Sequence, residues 1–206
     1  MTGGRATLGV AVLVAAGVSG PVSAQASFSA SFGARYTTTL VHDSIVAPFD
    51  VRAAVAPALT LAAGLPLKAP WTAVATLDVS FANVSRYDRD GSVVPITHLT
   101  TLAVGVALRR DLQHGLGVAA GAGLLAYIPS HKIGLFHDGG GAVQPLRQAS
   151  LDYSPPPLAA RGVAVEARYD LHGFLTPALR SEGFVNSTVV HRVSLGLRYR
   201  LRGSPR

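Results

Sequence analysis

Apolar and polar residues alternate along most of this chain with a period of two, the repeat of a strand with unlike faces. Phe28, Ala30, Phe32, Ala34 and Tyr36 stand opposite Ser29, Ser31, Gly33, Arg35 and Thr37. The same division recurs with Ala53, Val55, Pro57, Leu59 and Leu61 against Arg52, Ala54, Ala56, Ala58 and Thr60. It returns in Ala73, Ala75, Leu77, Val79 and Phe81 against Thr72, Val74, Thr76, Asp78 and Ser80. Leu102, Val104, Val106 and Leu108 face Thr101, Ala103, Gly105 and Ala107, and Leu116, Val118, Ala120, Ala122 and Leu124 alternate with Gly and Ala. A weaker segment, Val143 to Tyr153, sets Ala149, Leu151 and Tyr153 against Gln148, Ser150 and Asp152. Val163, Val165, Ala167, Tyr169 and Leu171 then oppose Ala164, Glu166, Arg168 and Asp170. The last segment, His191 to Leu201, sets Val193, Leu195, Leu197, Tyr199 and Leu201 against Arg192, Ser194, Gly196, Arg198 and Arg200.

These are eight strands. In a soluble sandwich the inner face is apolar and the outer face carries many Lys and Glu. Here the second face is Gly, Ala, Ser, Thr and a few charges of both signs, the composition of a crowded interior. The apolar faces carry no charge within the runs as assigned, as lipid requires, since a basic residue at the bilayer midplane of a barrel costs roughly 2–4 kcal/mol. Arg35, Arg52, Asp78, Asp152, Glu166, Arg168, Asp170, Arg192 and Arg198 are expected to pair as a charge network in the lumen. Connections alternate in length. Gly64 to Pro70, Arg110 to His114 and Pro155 to Arg161 are short, whereas Val41 to Asp50, Asn83 to Thr97, Ile128 to Ala142 and Gly173 to Thr188 are longer. Short turns at one end and long loops at the other characterise an outer-membrane barrel. Lipid leaves no backbone group to water, so the first strand must pair with the last. Trp71, Phe28, Tyr36, Phe81, Tyr153, Tyr169 and Tyr199 are candidates for aromatic girdles.

Helices do not account for the pattern. A spanning helix needs about 20 apolar residues, and the best stretch, Gly115 to Pro129, is shorter and ends in proline. At the N-terminus Arg5, an uncharged stretch from Ala6 to Val18 and small residues at Val22 and Ala24 read as a cleaved signal peptide over residues 1–24. The barrel is then expected over 25–202, with a short tail at 203–206.

Composition sharpens this reading. The chain of 206 residues carries a formal charge of +7, which invites a nucleic-acid reading. Yet only 14% of residues are charged, against roughly 25% in soluble domains. The basic residues are scattered, with no run longer than Arg109-Arg110, so no nucleic-acid partner is expected. With no cysteine, disulfides and thiolate metal sites are excluded.

The pattern over residues 26–202 resembles the small eight-stranded outer-membrane β-barrels of Gram-negative bacteria, the OmpA-like, OmpX-like and OmpW-like group. Its last strand, VSLGLRYRL, is similar to the C-terminal signal that the barrel-assembly machinery reads in that group. Val193, Leu195, Leu197, Tyr199 and Leu201 would form it. The group's signal usually ends on an aromatic residue; here Leu201 is followed by five more residues. The resemblance implies an all-β, antiparallel, up-and-down transmembrane barrel, exported to the outer membrane, with lipid and the assembly machinery as partners and a monomeric state.

Candidate chemistry is sparse. Barrel deacylases use a His-x-Ser arrangement, whereas His191 and Ser194 fall on opposite faces of a strand and cannot meet as base and nucleophile. His98 shares a face with Thr100, a poor nucleophile. His42-Asp43-Ser44 is the best hydrolase-like cluster and also reads as a solvated loop. His42, His131 and His137, with Asp43 and Asp138, lack any short ligand spacing. Asp88-Arg89-Asp90-Gly91 lacks the later ligands of a calcium loop and reads as a turn. His137-Asp138-Gly139-Gly140-Gly141 reads as a loop tip, without the strand-to-helix setting of a phosphate cradle. No enzyme activity, metal or cofactor is expected. Two readings remain: a structural or surface-interaction barrel with a plugged interior, or a narrow pathway for small or hydrophobic solutes.

Overall fold

A computed structural model describes residues 26–43, 48–131, 142–181, 183 and 187–201. The segments expected to be signal peptide (1–24) and tail (203–206), with Ser44, His137 and Asp138, lie outside the described residues. Ten strands form one antiparallel sheet: β1 (Ser27–Thr37), β2 (Val41–Asp43), β3 (Phe49–Ala53), β4 (Ala56–Pro66), β5 (Trp71–Asp88), β6 (Val93–Asp111), β7 (Leu116–Pro129), β8 (Val143–Tyr153), β9 (Val163–Phe174) and β10 (Thr188–Leu201). Eight of them close a ring, in the order β1-β4-β5-β6-β7-β8-β9-β10, and β10 pairs back onto β1 from Phe28↔Leu201 to Thr37↔Arg192. The first and last strands thus meet, as an edge-free sheet requires.

The register gives the stagger of the ring. From Phe28 the partners run Ala63, Ala75, Val106, Ala122, Arg147, Leu171 and His191. His191 then receives the amide of Thr38, ten residues beyond the start. A stagger of this kind tilts the strands about 35–45° from the axis. Alternation then sorts the side chains. Phe32, Phe81, Val106, Leu195 and Leu197 are all more than half exposed, within an outward apolar belt. Phe28, Trp71, Tyr153 and Tyr199 ring the belt at the turn end, and Tyr36, Phe81 and Tyr169 lie toward the loop end. Such a belt is stable only against lipid.

Three expectations are corrected. Arg52 is not in the lumen. The irregular pair Ala54-Val55 shifts the alternation by one, so Val51 is buried and Arg52 points outward, bonded to Asp50 and lying over the Tyr87 ring. The stretch Asn83 to Thr97 is not a loop: β5 and β6, 18 and 19 residues long, continue as a paired hairpin past the 9–11 residues that span a bilayer. Its tip is the Asp88–Ser92 turn, where Gly91 takes φ 87° and the Ser92 amide donates to Asp90. β2 and β3 form a second hairpin docked on the β5 extension. Third, the outward faces are not free of charge, because Arg147 on β8 is exposed on the same parity as Ala149 and Leu151.

Candidate functional site

Among the described residues the alternation encloses a polar lumen, which changes character along its length. Toward the loops the inward positions turn from small, polar or charged to apolar. On β7 they read Gly117, Ala119, Gly121, Gly123, Leu125, Tyr127; on β9, Arg168, Asp170, His172, Phe174; on β10, Arg192 then Val190 toward the loops.

In the loop-side half of the lumen lies a belt of charges. Arg35 grips Asp78 with both terminal nitrogens, Nη2 at 2.7 Å, and its Nε donates to Ser194 at 2.7 Å. Thr60 donates to the same carboxylate at 2.7 Å, and Arg192 Nη2 reaches it at 3.3 Å. Arg168 donates to Asp170 at 3.1 Å and also to Gln148. Arg192 Nη1 stands 3.9 Å from Asp170 Oδ2, an ion pair without a hydrogen bond. Five ionised groups from β1, β5, β9 and β10 therefore converge in a nearly dry cross-section, where each needs an opposite charge to offset its lost hydration.

A second tier lies nearer the short turns. Asp152 is gripped by Arg109 and by Arg198, the latter at 2.9 and 2.5 Å. Arg109 also holds Asp111 at 2.7 Å. Gly117 makes room for this cluster, because a Cβ there would sit 2.3 Å from the Arg109 guanidinium. Glu166 stands apart from the arginines and accepts from Ser31 at 2.5 Å. Below the belt, a cavity of about 200 Å³ lined by Ser31, Thr60, Thr76, Arg109, Glu166 and Arg198, among others, opens toward the turn end.

Toward the loop end the lumen is filled. Leu40, Val51, Val84, Leu99, Leu125, Leu146, Phe174 and Val190 are buried together, and Leu179 from the short helix α2 (Pro177–Ser181) joins them. Tyr127 packs edge-on against Phe174 at 5.1 Å and lies 2.9 Å from His172 Nε2. His172 Nδ1 lies 2.9 Å from the Gly173 carbonyl and donates to it, so Nε2 is the acceptor for the tyrosine hydroxyl.

Of the nine residues expected in the lumen network, the structure brings Arg35, Asp78, Arg168, Asp170 and Arg192 together in the charge belt. Asp152 and Arg198 meet in the second tier, Glu166 lies between, and Arg52 is elsewhere. Arg109 belongs to the network and was missed. One more step of the Thr101, Ala103, Gly105, Ala107 alternation would have found it. The outward set Val193, Leu195, Leu197, Tyr199 and Leu201 is exposed along β10.

The hydrolase-like candidates stay apart. His191 faces outward and pairs with the Tyr169 hydroxyl at 2.6 Å, while Ser194 faces the lumen and binds Arg35. His98 bonds Asn83. His42 bonds Asp50 at 2.6 Å; hydrogen bonds from His42 and then from Arg52 hold the Asp50 carboxyl below its usual range. Among the described residues no three His, Asp or Glu side chains gather as a metal site.

No protein-family model and no curated protein matches this sequence. Among solved structures, the outer-membrane protein AlkL in lipid bilayers matches with a TM-score of 0.53 and 13% identity, over 92% of this chain and 97% of that one. Neisserial surface protein A matches at 0.47 and 16%, over 85% and 99%. OprG from Pseudomonas aeruginosa matches at 0.48 and 10%, over 86% and 96%. Ring closure, the outward apolar belt and the likeness to AlkL agree: this chain has the fold of the small eight-stranded outer-membrane β-barrels.

Proposed function

We propose that this protein is a non-conducting outer-membrane barrel with a structural or surface-interaction role, neither an enzyme nor a pore. One observation carries this reading: the lumen is closed twice in succession. The charge belt crosses the loop-side half of the lumen, where Arg35, Asp78, Asp170 and Arg192 are each 1% exposed or less. The apolar plug lies directly beyond it. An ion crossing from the turn-end cavity would have to displace the Arg35–Asp78 pair and then enter a dry apolar layer. Eight-stranded barrels leave just enough interior for side chains to fill, and here they fill it.

Export under a cleaved leader and insertion by the barrel-assembly machinery, reading the outward face of β10, complete the proposal. The supporting features are the leader-like pattern of residues 1–24 and the exposed row from Val193 to Leu201. The long-loop end, with its protruding β5–β6 hairpin, then faces outward from the cell and is the surface offered to partners.

Planar-bilayer recording of the refolded barrel tests the closure. No steady unitary openings are expected, and regular openings of the unmodified protein would overturn the plugged reading in favour of the transport one.

A further inference from the structure

Arg147 contradicts the rule that its strand otherwise obeys. It projects outward from β8 in register with Ala122 on one side and Leu171 on the other. Among the described residues it has no ion pair or hydrogen-bonded partner for its guanidinium. The other outward arginine at the belt, Arg110, lies at the turn end with its guanidinium 5.4 Å from the Trp71 ring centroid.

The register fixes the depth of Arg147. A full circuit of eight strands climbs ten residues along β1, from Phe28 to Thr38, so the five steps to β8 climb about six. Arg147 is therefore level with Ala34, one outward position below Tyr36. At a rise of about 3.3 Å per residue and a tilt of about 40°, it lies about 5 Å below the level of Tyr36. An arginine stem covers that distance and carries its charge to the headgroup layer. On β9 beside it, one outward position toward the turns from Leu171, stands Tyr169, hydrogen-bonded to His191, which pairs with Leu171 from β10. A cation, a phenol and an imidazole thus share one outward patch on β8, β9 and β10.

We infer that this patch binds the phosphate of an anionic lipid headgroup, one with no cation of its own to neutralise it, in the leaflet that surrounds the long loops. Arg147 supplies the charge and a two-pronged donor, the chemistry that favours arginine for phosphate. The Tyr169–His191 pair, bonded to each other, keeps one further donor beside it. The inference rests on the membrane-embedded reading above. Free phosphate is not the ligand, because the acyl chains beside Leu171 and Val193 hold the headgroup in place.

The test is lipid selectivity. Wild type, Arg147→Gln, Arg110→Gln and Tyr169→Phe are refolded into nanodiscs of about 4:1 phosphatidylcholine to phosphatidylglycerol. Lipids retained on gentle release are counted by native mass spectrometry. A roughly fivefold preference would bring retained phosphatidylglycerol about level with phosphatidylcholine in wild type, and Arg147→Gln should return it to its one-in-five share. Arg110→Gln should keep it and Tyr169→Phe should reduce it. Equal enrichment in wild type and Arg147→Gln would overturn the site, as would equal loss in Arg110→Gln. A heat-modifiable gel shift, recorded for every variant, reports the barrel itself, so failure of the fold and failure of the site are told apart.

Discussion

Arg35 on β1 and Asp78 on β5 close a two-pronged ion pair across the intervening strand β4, and neither side chain is more than 1% exposed. Arg192 and Thr60 converge on the same carboxylate. One acid therefore neutralises cations from both sides of the β1–β10 seam. Replacing Asp78 by Ala strands the buried Arg35 and leaves Arg192 only its longer pair with Asp170, and should cost about 3–5 kcal/mol in urea unfolding from vesicles. The double change Arg35→Met, Asp78→Leu should recover most of that loss, because apolar side chains of similar volume need no counter-charge. A double-mutant cycle with no coupling would show that the pair does not hold the seam.

Glycine is needed at position 121 for a different reason from position 91. A Cβ at Gly121 would sit 2.0 Å from the Val106 carbonyl oxygen, on backbone that cannot swing away. Gly121→Ala should lower refolding yield and destabilise the barrel by about 1–3 kcal/mol, the usual range for overpacking. Gly91 is at a hairpin tip with open space around it and φ 87°. Gly91→Ala should strain only that tip and leave the folded yield unchanged. A reversed ranking would refute the register of β6 and β7.

Trp71 is the only tryptophan of the chain and lies on the outward face at the turn end, 38% exposed and beside Arg110. An indole in that setting belongs at the membrane–water interface. Its emission should shift to the blue on refolding into vesicles. Lipids brominated near the headgroup should quench it more than lipids brominated near the chain ends. Stronger quenching from the chain ends would place the girdle at the wrong depth.

The β2–β3 hairpin carries a pH response. The Asp50 carboxyl is held below its ordinary value by hydrogen bonds from His42 and Arg52. A carboxylate depressed on folding stabilises the folded form above its unfolded pKa and loses that contribution as pH falls through the folded one. Amide exchange at Val41–Asp43 should therefore speed up below about pH 4, relative to exchange in the barrel wall. Asp50→Asn should remove the pH dependence. Unchanged exchange from neutral pH to pH 3 in the wild type would count against the contact.

The eight-fold alternation was legible because lipid and lumen impose opposite demands on successive residues, and that contrast survives in one dimension. The closing pairing of β1 with β10 followed from the cost of unpaired backbone. Arg52 escaped the reading because a two-residue irregularity at Ala54-Val55 inverts the phase, and alternation cannot register its own slips. Arg147 escaped because β8 is weakly patterned near Pro145. The apolar plug was hidden for a subtler reason: Leu99, Leu125, Leu146 and Val190 each sit on a parity that elsewhere is polar, so each looks like noise in its own strand.

The sequence by itself determined the class of fold, the eight strands of the ring and which face of most of them meets lipid, since these depend on periodicity within single segments. Only the tertiary structure decided that the lumen is stacked as cavity, charge belt and plug. Depth in a barrel is set by stagger, and stagger is a relation between strands that no single strand encodes. The same relation brings Arg35, Asp78, Asp170 and Arg192 to one level and lifts Arg147 to the edge of the belt.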